Sequence, residues 1–251
     1  FLTAALLAWG AGVRAGAAGF PYEIRRRTLA NGLDVLVVPT PEFKGVLSYN
    51  TLVLAGSRHE LDPGKTGLAH LFEHILFRHR AGGREGGYQD AVDRLGAHNN
   101  AWTWFDVTYY HPLTFADALP ELARLEAERF ARLDFSEKTF KTEAGAVLGE
   151  YRRQASFPTM RLSERLSALM FPGRGYGHTT MGSYEDVLDM PNEFAAAKRF
   201  YADHYRPENC VIIAAGDVDP EAVFKAAEKE YAAWPRGRPP PPLSSALRSA
   251  R

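Results

Sequence analysis

Hydrophobic positions along the chain change period several times, and the changes mark out its elements. Residues 22–28 and 33–38 read as two strands flanking Ala30-Asn31-Gly32, a hairpin signal because Asn-Gly suits the positive φ of a type I′ turn. Residues 45–55 read as another strand, and residues 56–64 as a loop by their turn residues. Within residues 67–77 the period becomes helical: Leu68, Leu71, Phe72, Ile75 and Leu76 repeat at helix spacing. A short helix is predicted over 90–95, a second strand pair over 97–104 and 107–113, and a helix over 116–133. Ser136 is a candidate N-cap for a long helix running to about residue 154. Further helices fit residues 161–170, 191–205 (with Pro191 in the first turn) and 220–233. Residues 171–177 form a Gly-rich loop and residues 210–215 a buried strand. Strands and helices come in groups, which predicts an α+β fold with an antiparallel-rich sheet packed with helices.

The ends read differently. Residues 1–9 are an apolar run and residues 15–19 are all Ala or Gly, like the hydrophobic and cleavage regions of a secretory signal. Residues 1–19 are therefore expected to be a leader, and the protein to be exported, to a bacterial periplasm. The run is too short to span a bilayer, which takes roughly 20 apolar residues, so no integral membrane span is expected. Residues 20–235 make the folded domain. Residues 236–251, with four consecutive prolines at 239–242, read as a stiff linker or tail.

Composition narrows the chemistry. The 251 residues carry 30 Lys plus Arg against 30 Asp plus Glu, so no charge excess points to nucleic acid or an anionic membrane. A single cysteine, Cys210, excludes an internal disulfide and a Cys-rich metal site. It reads as a small core residue, and any metal must be held by His, Asp or Glu.

Such a set exists at His70-Leu71-Phe72-Glu73-His74. Residues four apart share a helix face, so two imidazoles can converge on one ion with Glu73 beside them. This is the inverted zincin pattern, H-x-x-E-H. Zinc with three protein ligands keeps a fourth position for water and lowers its pKa to around 7, within reach of a carboxylate base. Two glutamates on the long helix offer a third ligand, Glu143 and Glu150. They share a face but stand about 10.5 Å apart along the axis, so one is a ligand and the other lies outside the first shell or faces substrate.

These residues, with Gly96 to Thr103, Asp106, Thr108, Tyr110, Tyr176 to Ser183 and Tyr205 to Asp217, give the chain its resemblance to the pitrilysin/insulinase family of zinc metallopeptidases. Among members it is similar to bacterial relatives of the mitochondrial processing peptidases. In that family a third ligand, a Glu, follows the second His by about 76 residues, which is Glu150 here. The resemblance implies zinc held by His70, His74 and Glu150, Glu73 as general base, and Glu143 as second-shell support. It also implies that Asn100 and Ala101 lie on an edge strand, to which an extended peptide or unfolded protein adds by main-chain hydrogen bonds.

Family members usually carry two or four domains of this size, the second closing over the metal. The chain therefore reads as a piece of a longer protein or as a subunit that works with a homologous partner. The expected function is that of a zinc endopeptidase subunit. The alternative is a non-catalytic scaffold or binding subunit of the same fold, which typically has a degraded metal motif; here all four positions are intact.

Overall fold

Alternation organises the sheet at the centre of the molecule. A computed structural model describes residues 20–173 and 175–237. The expected leader and residues 238–251 of the tail, with the prolines at 239–242, lie outside the described residues. Seven strands form one mixed sheet: β1 (Arg25–Thr28), β2 (Asp34–Pro39), β3 (Val46–Val53), β4 (Ala101–Thr103), β5 (Thr108–Tyr110), β6 (Leu113–Phe115) and β7 (Cys210–Gly216). Their order is β1-β2-β7-β3-β5-β4, with β6 also paired to β3. Only β2 and β7 run parallel; the other pairings are antiparallel.

In β7, Cys210, Ile212 and Ala214 are buried while Val211, Ile213 and Ala215 are half-buried, the period-2 pattern of a sheet with one core face. Val35 and Val37 of β2 and Leu47, Tyr49 and Val53 of β3 join that face. The helices are α1 (Leu68–Phe77), α2 (Gly87–Arg94), α3 (Leu119–Ala131), α4 (Glu137–Ala155), α5 (Pro158–Met170), α6 (Tyr184–Asp189), α7 (Phe194–His204) and α8 (Pro220–Tyr231). Leu71, Phe72 and Ile75 of α1, Leu122 and Phe130 of α3, and Phe140 and Val147 of α4 bury in one core with the strands. Phe72 stacks on Phe200 and Tyr201 of α7, locking the apolar side of α1 in place. The architecture is α+β with an antiparallel-rich sheet, as the residue pattern predicts.

Local chemistry corrects several details. The first hairpin does not turn through type I′. Gly32 has φ +90°, but among the described residues no non-glycine residue has positive φ, so Asn31 cannot supply its half of that turn. Instead the Gly32 amide donates to the Leu29 carbonyl and the Leu29 amide to the Leu33 carbonyl. This is a three-residue loop, with Gly32 taking the left-handed bulge position. The pair predicted over 97–104 and 107–113 is interrupted: β4 and β5 pair over three residues each, pairing resumes at a single His98–Leu113 bridge, and Leu113 opens β6. Pro191 lies in a 3₁₀ turn at Met190–Asn192, and α7 begins after it. Helix α6 has no counterpart in the prediction: six residues are too few for a periodic signal, although Ser183 caps it by accepting from the Asp186 amide.

Candidate metal centre

Two antiparallel helices build the site. Helix α1 projects His70, Glu73 and His74, and α4 projects Glu143 and Glu150. Ser136 fixes the start of α4 by accepting the Thr139 amide, as its sequence predicts.

The start of α1 is held more elaborately. Its N-cap Gly67 has φ +93°, and a Cβ there would lie 2.9 Å from both the Met181 carbonyl oxygen and the Met190 methyl. Backbone conformation and crowding therefore both require glycine. The fully buried Glu60 carboxylate accepts the amides of Gly67 (2.8 Å) and Ala69 (2.7 Å). It satisfies two of the helix's orphan donors and places a carboxylate at the positive end of the helix dipole. Burial outweighs the lowering pull of the Ala69 and Gly67 amides and leaves the Glu60 carboxyl raised to about 8. His178 Nδ1 lies 3.8 Å from the same carboxylate.

His70, His74 and Glu150 converge. One ligand atom from each lies within 4.8 Å of the others. Glu150 Oε2 is 3.6 Å from His70 Nε2 and 3.9 Å from His74 Nε2. Donors around a tetrahedral zinc with bonds of about 2.0–2.1 Å stand roughly 3.3 Å apart, so small side-chain adjustments fit these atoms to an ion. Two imidazoles and one carboxylate form a donor set suited to zinc. Burial and the neighbouring His74 depress His70 to about 4, which keeps its imidazole neutral and free to ligate.

The two histidines are held differently. Glu143 Oε2 is 3.4 Å from His74 Nδ1, and Glu143 Oε1 accepts from Arg78 Nε at 2.7 Å. Burial lowers the His74 pKa, but the Glu143 hydrogen bond and the charges of Glu150, Glu143 and Glu73 outweigh it and leave it raised. Burial likewise raises Glu143, yet His74 and Arg78 prevail and leave it a carboxylate of lowered pKa. His70 Nδ1 is buried without a hydrogen-bond partner among the described residues.

Glu73 turns toward β4, where Thr103 Oγ1 donates to its Oε2 at 2.6 Å. Burial raises the Glu73 pKa, opposed by Thr103 and His74 and aided by Glu150. Among the described residues, strand β4 ends the sheet and pairs with β5 alone. The His111 amide donates to the Asn100 carbonyl and the Trp104 amide to the Val107 carbonyl. By antiparallel alternation, Trp102 bonds inward while Ala101 and Thr103 aim their backbone groups at the free edge. The Asn100 side chain accepts the Ala101 amide at 2.8 Å.

Thr103, Arg78 and Glu60 were not singled out from the sequence. Thr103 closes the run that begins at Gly96, and Arg78 follows His74 by one helical turn. Glu60 sits in a loop where no period marks it.

Comparison with known proteins shows the family and the fold. A sequence model described as Insulinase (Peptidase family M16) matches residues 46–183, which contain all the residues of the site. A second, described as the Peptidase M16 inactive domain, matches residues 194–249. Zinc protease PqqE of Helicobacter pylori is 32% identical over 205 residues, covering 81% of this chain and 46% of that protein. The mitochondrial-processing peptidase subunit beta of Lentinula edodes is 25% identical over 208 residues, 83% of this chain and 44% of that protein. A crystal structure of a protease from Helicobacter pylori superposes with a TM-score of 0.81 at 30% identity, covering 86% of this chain and 52% of the other. The chain thus spans about half the length of the curated relatives it matches.

Proposed function

The chain belongs to the insulinase family of peptidases, family M16, and on that premise we propose that it is the zinc-binding part of an endopeptidase acting on extended peptides or unfolded proteins. The observation that carries the reading is the convergence of His70, His74 and Glu150, with Glu73 of the same helix as the histidines close enough to feel the charges of His74 and Glu150. His70, His74 and Glu150 would hold zinc. When bound, zinc supplies Lewis acidity that polarises the scissile carbonyl and makes water more acidic.

Glu73 takes the proton from the attacking water as the water oxygen bonds to the carbonyl carbon. It then passes the proton to the amine nitrogen as the C–N bond breaks. Thr103 fixes one oxygen of that carboxylate and so orients it. Glu143 holds His74 from behind. A substrate in extended conformation adds to the edge of β4 through the Ala101 carbonyl and the Thr103 amide and carbonyl, while the Asn100 side chain holds the Ala101 amide at the start of the strand. A folded protein surface cannot present a strand this way, which is why extended chains are the substrate class. A second homologous domain or partner subunit completes the peptidase. Residues 1–19 are the basis for proposing export to a periplasm.

The test combines metal content with turnover. The chain, reconstituted with a homologous second half, is assayed on an unstructured peptide with and without chelator, beside Glu73→Gln. The expected result is zinc retained and cleavage lost in Glu73→Gln. Normal cleavage by that variant, or no zinc bound by the wild type, would reject the proposal.

A further inference from the structure

We propose that Arg78 is a positioning residue of the metal site, acting through Glu143 on His74. The inference rests on the proposed zinc site. It begins with spacing: His70, His74 and Arg78 follow one another at four-residue intervals along one face of α1 and its C-cap. Opposite them, Glu150 and Glu143 lie seven residues apart on α4. The two rows run in opposite directions, so Glu150 meets the two imidazoles and Glu143 meets His74 and Arg78.

Glu143 is the pivot. Its side chain is only 5% exposed, and each oxygen has one partner: Oε2 the His74 ring, Oε1 the Arg78 Nε. A buried carboxylate with one oxygen unpaired is costly and free to rotate toward another donor. Arg78 removes that freedom and aims Oε2 at His74 Nδ1. A carboxylate on the far nitrogen of a ligating imidazole sets the tautomer and the ring plane, and losing such a partner typically weakens metal binding 10–100-fold. His70 has no such support, since its Nδ1 is unpartnered among the described residues. The preorganisation of the histidine pair therefore falls on His74, and at one remove on Arg78.

This role has a signature opposite to simple charge. Taking a cation away from a divalent ion relieves repulsion and would tighten binding. Taking away a positioning residue loosens it. Arg78 is 54% exposed on its side chain, so its replacement leaves the core intact.

The experiment measures zinc affinity directly, by competition with a chromogenic chelator, in the wild-type chain, Arg78→Met, Arg78→Lys, Glu143→Gln and the double variant Arg78→Met/Glu143→Gln. The expected result is about tenfold weaker binding in Arg78→Met, with most of the loss recovered in Arg78→Lys. In the Glu143→Gln background, Arg78→Met should add no further loss, because its route to His74 is already cut. Unchanged or tighter binding in Arg78→Met, or an equal loss in both backgrounds, overturns the inference while leaving the zinc site standing. A wild-type chain that binds no zinc overturns the site itself, and this inference with it.

Discussion

Glu143 and Glu150 divide His74 between them: Glu143 Oε2 stands 3.4 Å from Nδ1, and Glu150 Oε2 stands 3.9 Å from Nε2. One helix face thus serves both sides of a single imidazole. The separation along α4 that keeps both carboxylates from reaching one ion lets them act in sequence, one on the ion's side of the ring and one behind it. Unequal effects on metal binding follow. Glu150→Gln should abolish high-affinity zinc binding, whereas Glu143→Gln should weaken it by about 10–100-fold. Zinc titration against a competing chelator measures both, and a larger loss in Glu143→Gln would reverse the assignment.

Thr103 bears on the proposed base, Glu73, rather than on the proposed metal ligands. Its hydroxyl is the chief group opposing the upward push of burial on Glu73. Thr103→Val removes that bond and lets the Glu73 pKa rise further. A general base works in its deprotonated form, so activity appears as pH rises through its pKa. The acid limb of the kcat/KM profile should therefore move to higher pH in Thr103→Val, with a greater loss at low pH than at high. A profile lowered uniformly, with its acid limb in place, would assign Thr103 to packing alone.

His204 makes the folded state sensitive to acid. Burial, with His59 and Arg206 nearby, depresses it to about 4, and its Nδ1 is buried without a partner among the described residues. In the unfolded chain it takes a proton near pH 6.5, while in the folded protein it resists until about pH 4. The unfolded state thus binds more protons in that window, and stability falls as pH drops through it, by roughly 3 kcal/mol for this group. Urea denaturation at pH 7 and pH 4.5 reads the slope. His204→Leu should flatten it, and an unchanged slope would show that other groups account for the acid sensitivity.

Most of the candidate site's geometry is legible in the sequence because its parts obey short-range rules. Spacing places His70, Glu73 and His74 on one face of α1, and Glu143 and Glu150 on one face of α4. Periodicity alone did not say which glutamate meets the imidazoles' Nε2 atoms; that depended on the antiparallel crossing of α1 and α4, and the family resemblance supplied the choice. The contacts of Glu60 and Thr103 were hidden for a different reason. Glu60 reaches the amides of Gly67 and Ala69 from a loop, and Thr103 reaches Glu73 from 30 residues away across the sheet edge. At Gly32 the residue types do not decide the turn: Asn-Gly serves both a type I′ turn and a type I turn with a bulge, and loop length decides between them.

A last prediction concerns the buried charges that reach, through Tyr88 and Asn99, the approach to β4. Glu126 and Arg129 of α3 are both fully buried and paired at 2.8 Å. The Tyr88 hydroxyl donates to Glu126, Asn99 donates to that hydroxyl, and the Arg129 guanidinium lies 4.2 Å from the Tyr88 ring centroid. The cluster therefore reaches from α3 through α2 to the residue just before Asn100. Arg129→Met leaves Glu126 a buried charge without its cation, and should cost about 3–5 kcal/mol. Arg129→Met/Glu126→Leu removes both charges at similar volume and should recover much of that loss, since an apolar pair replaces the desolvation cost of two ions. Urea midpoints of the two variants test this. A double variant no more stable than the single would mean that the Tyr88 and Asn99 hydrogen bonds, rather than the ion pair, dominate. If the double variant is stable yet the reconstituted peptidase shows a raised KM at unchanged kcat, the cluster's contribution is to the placement of the β4 edge and not to folding.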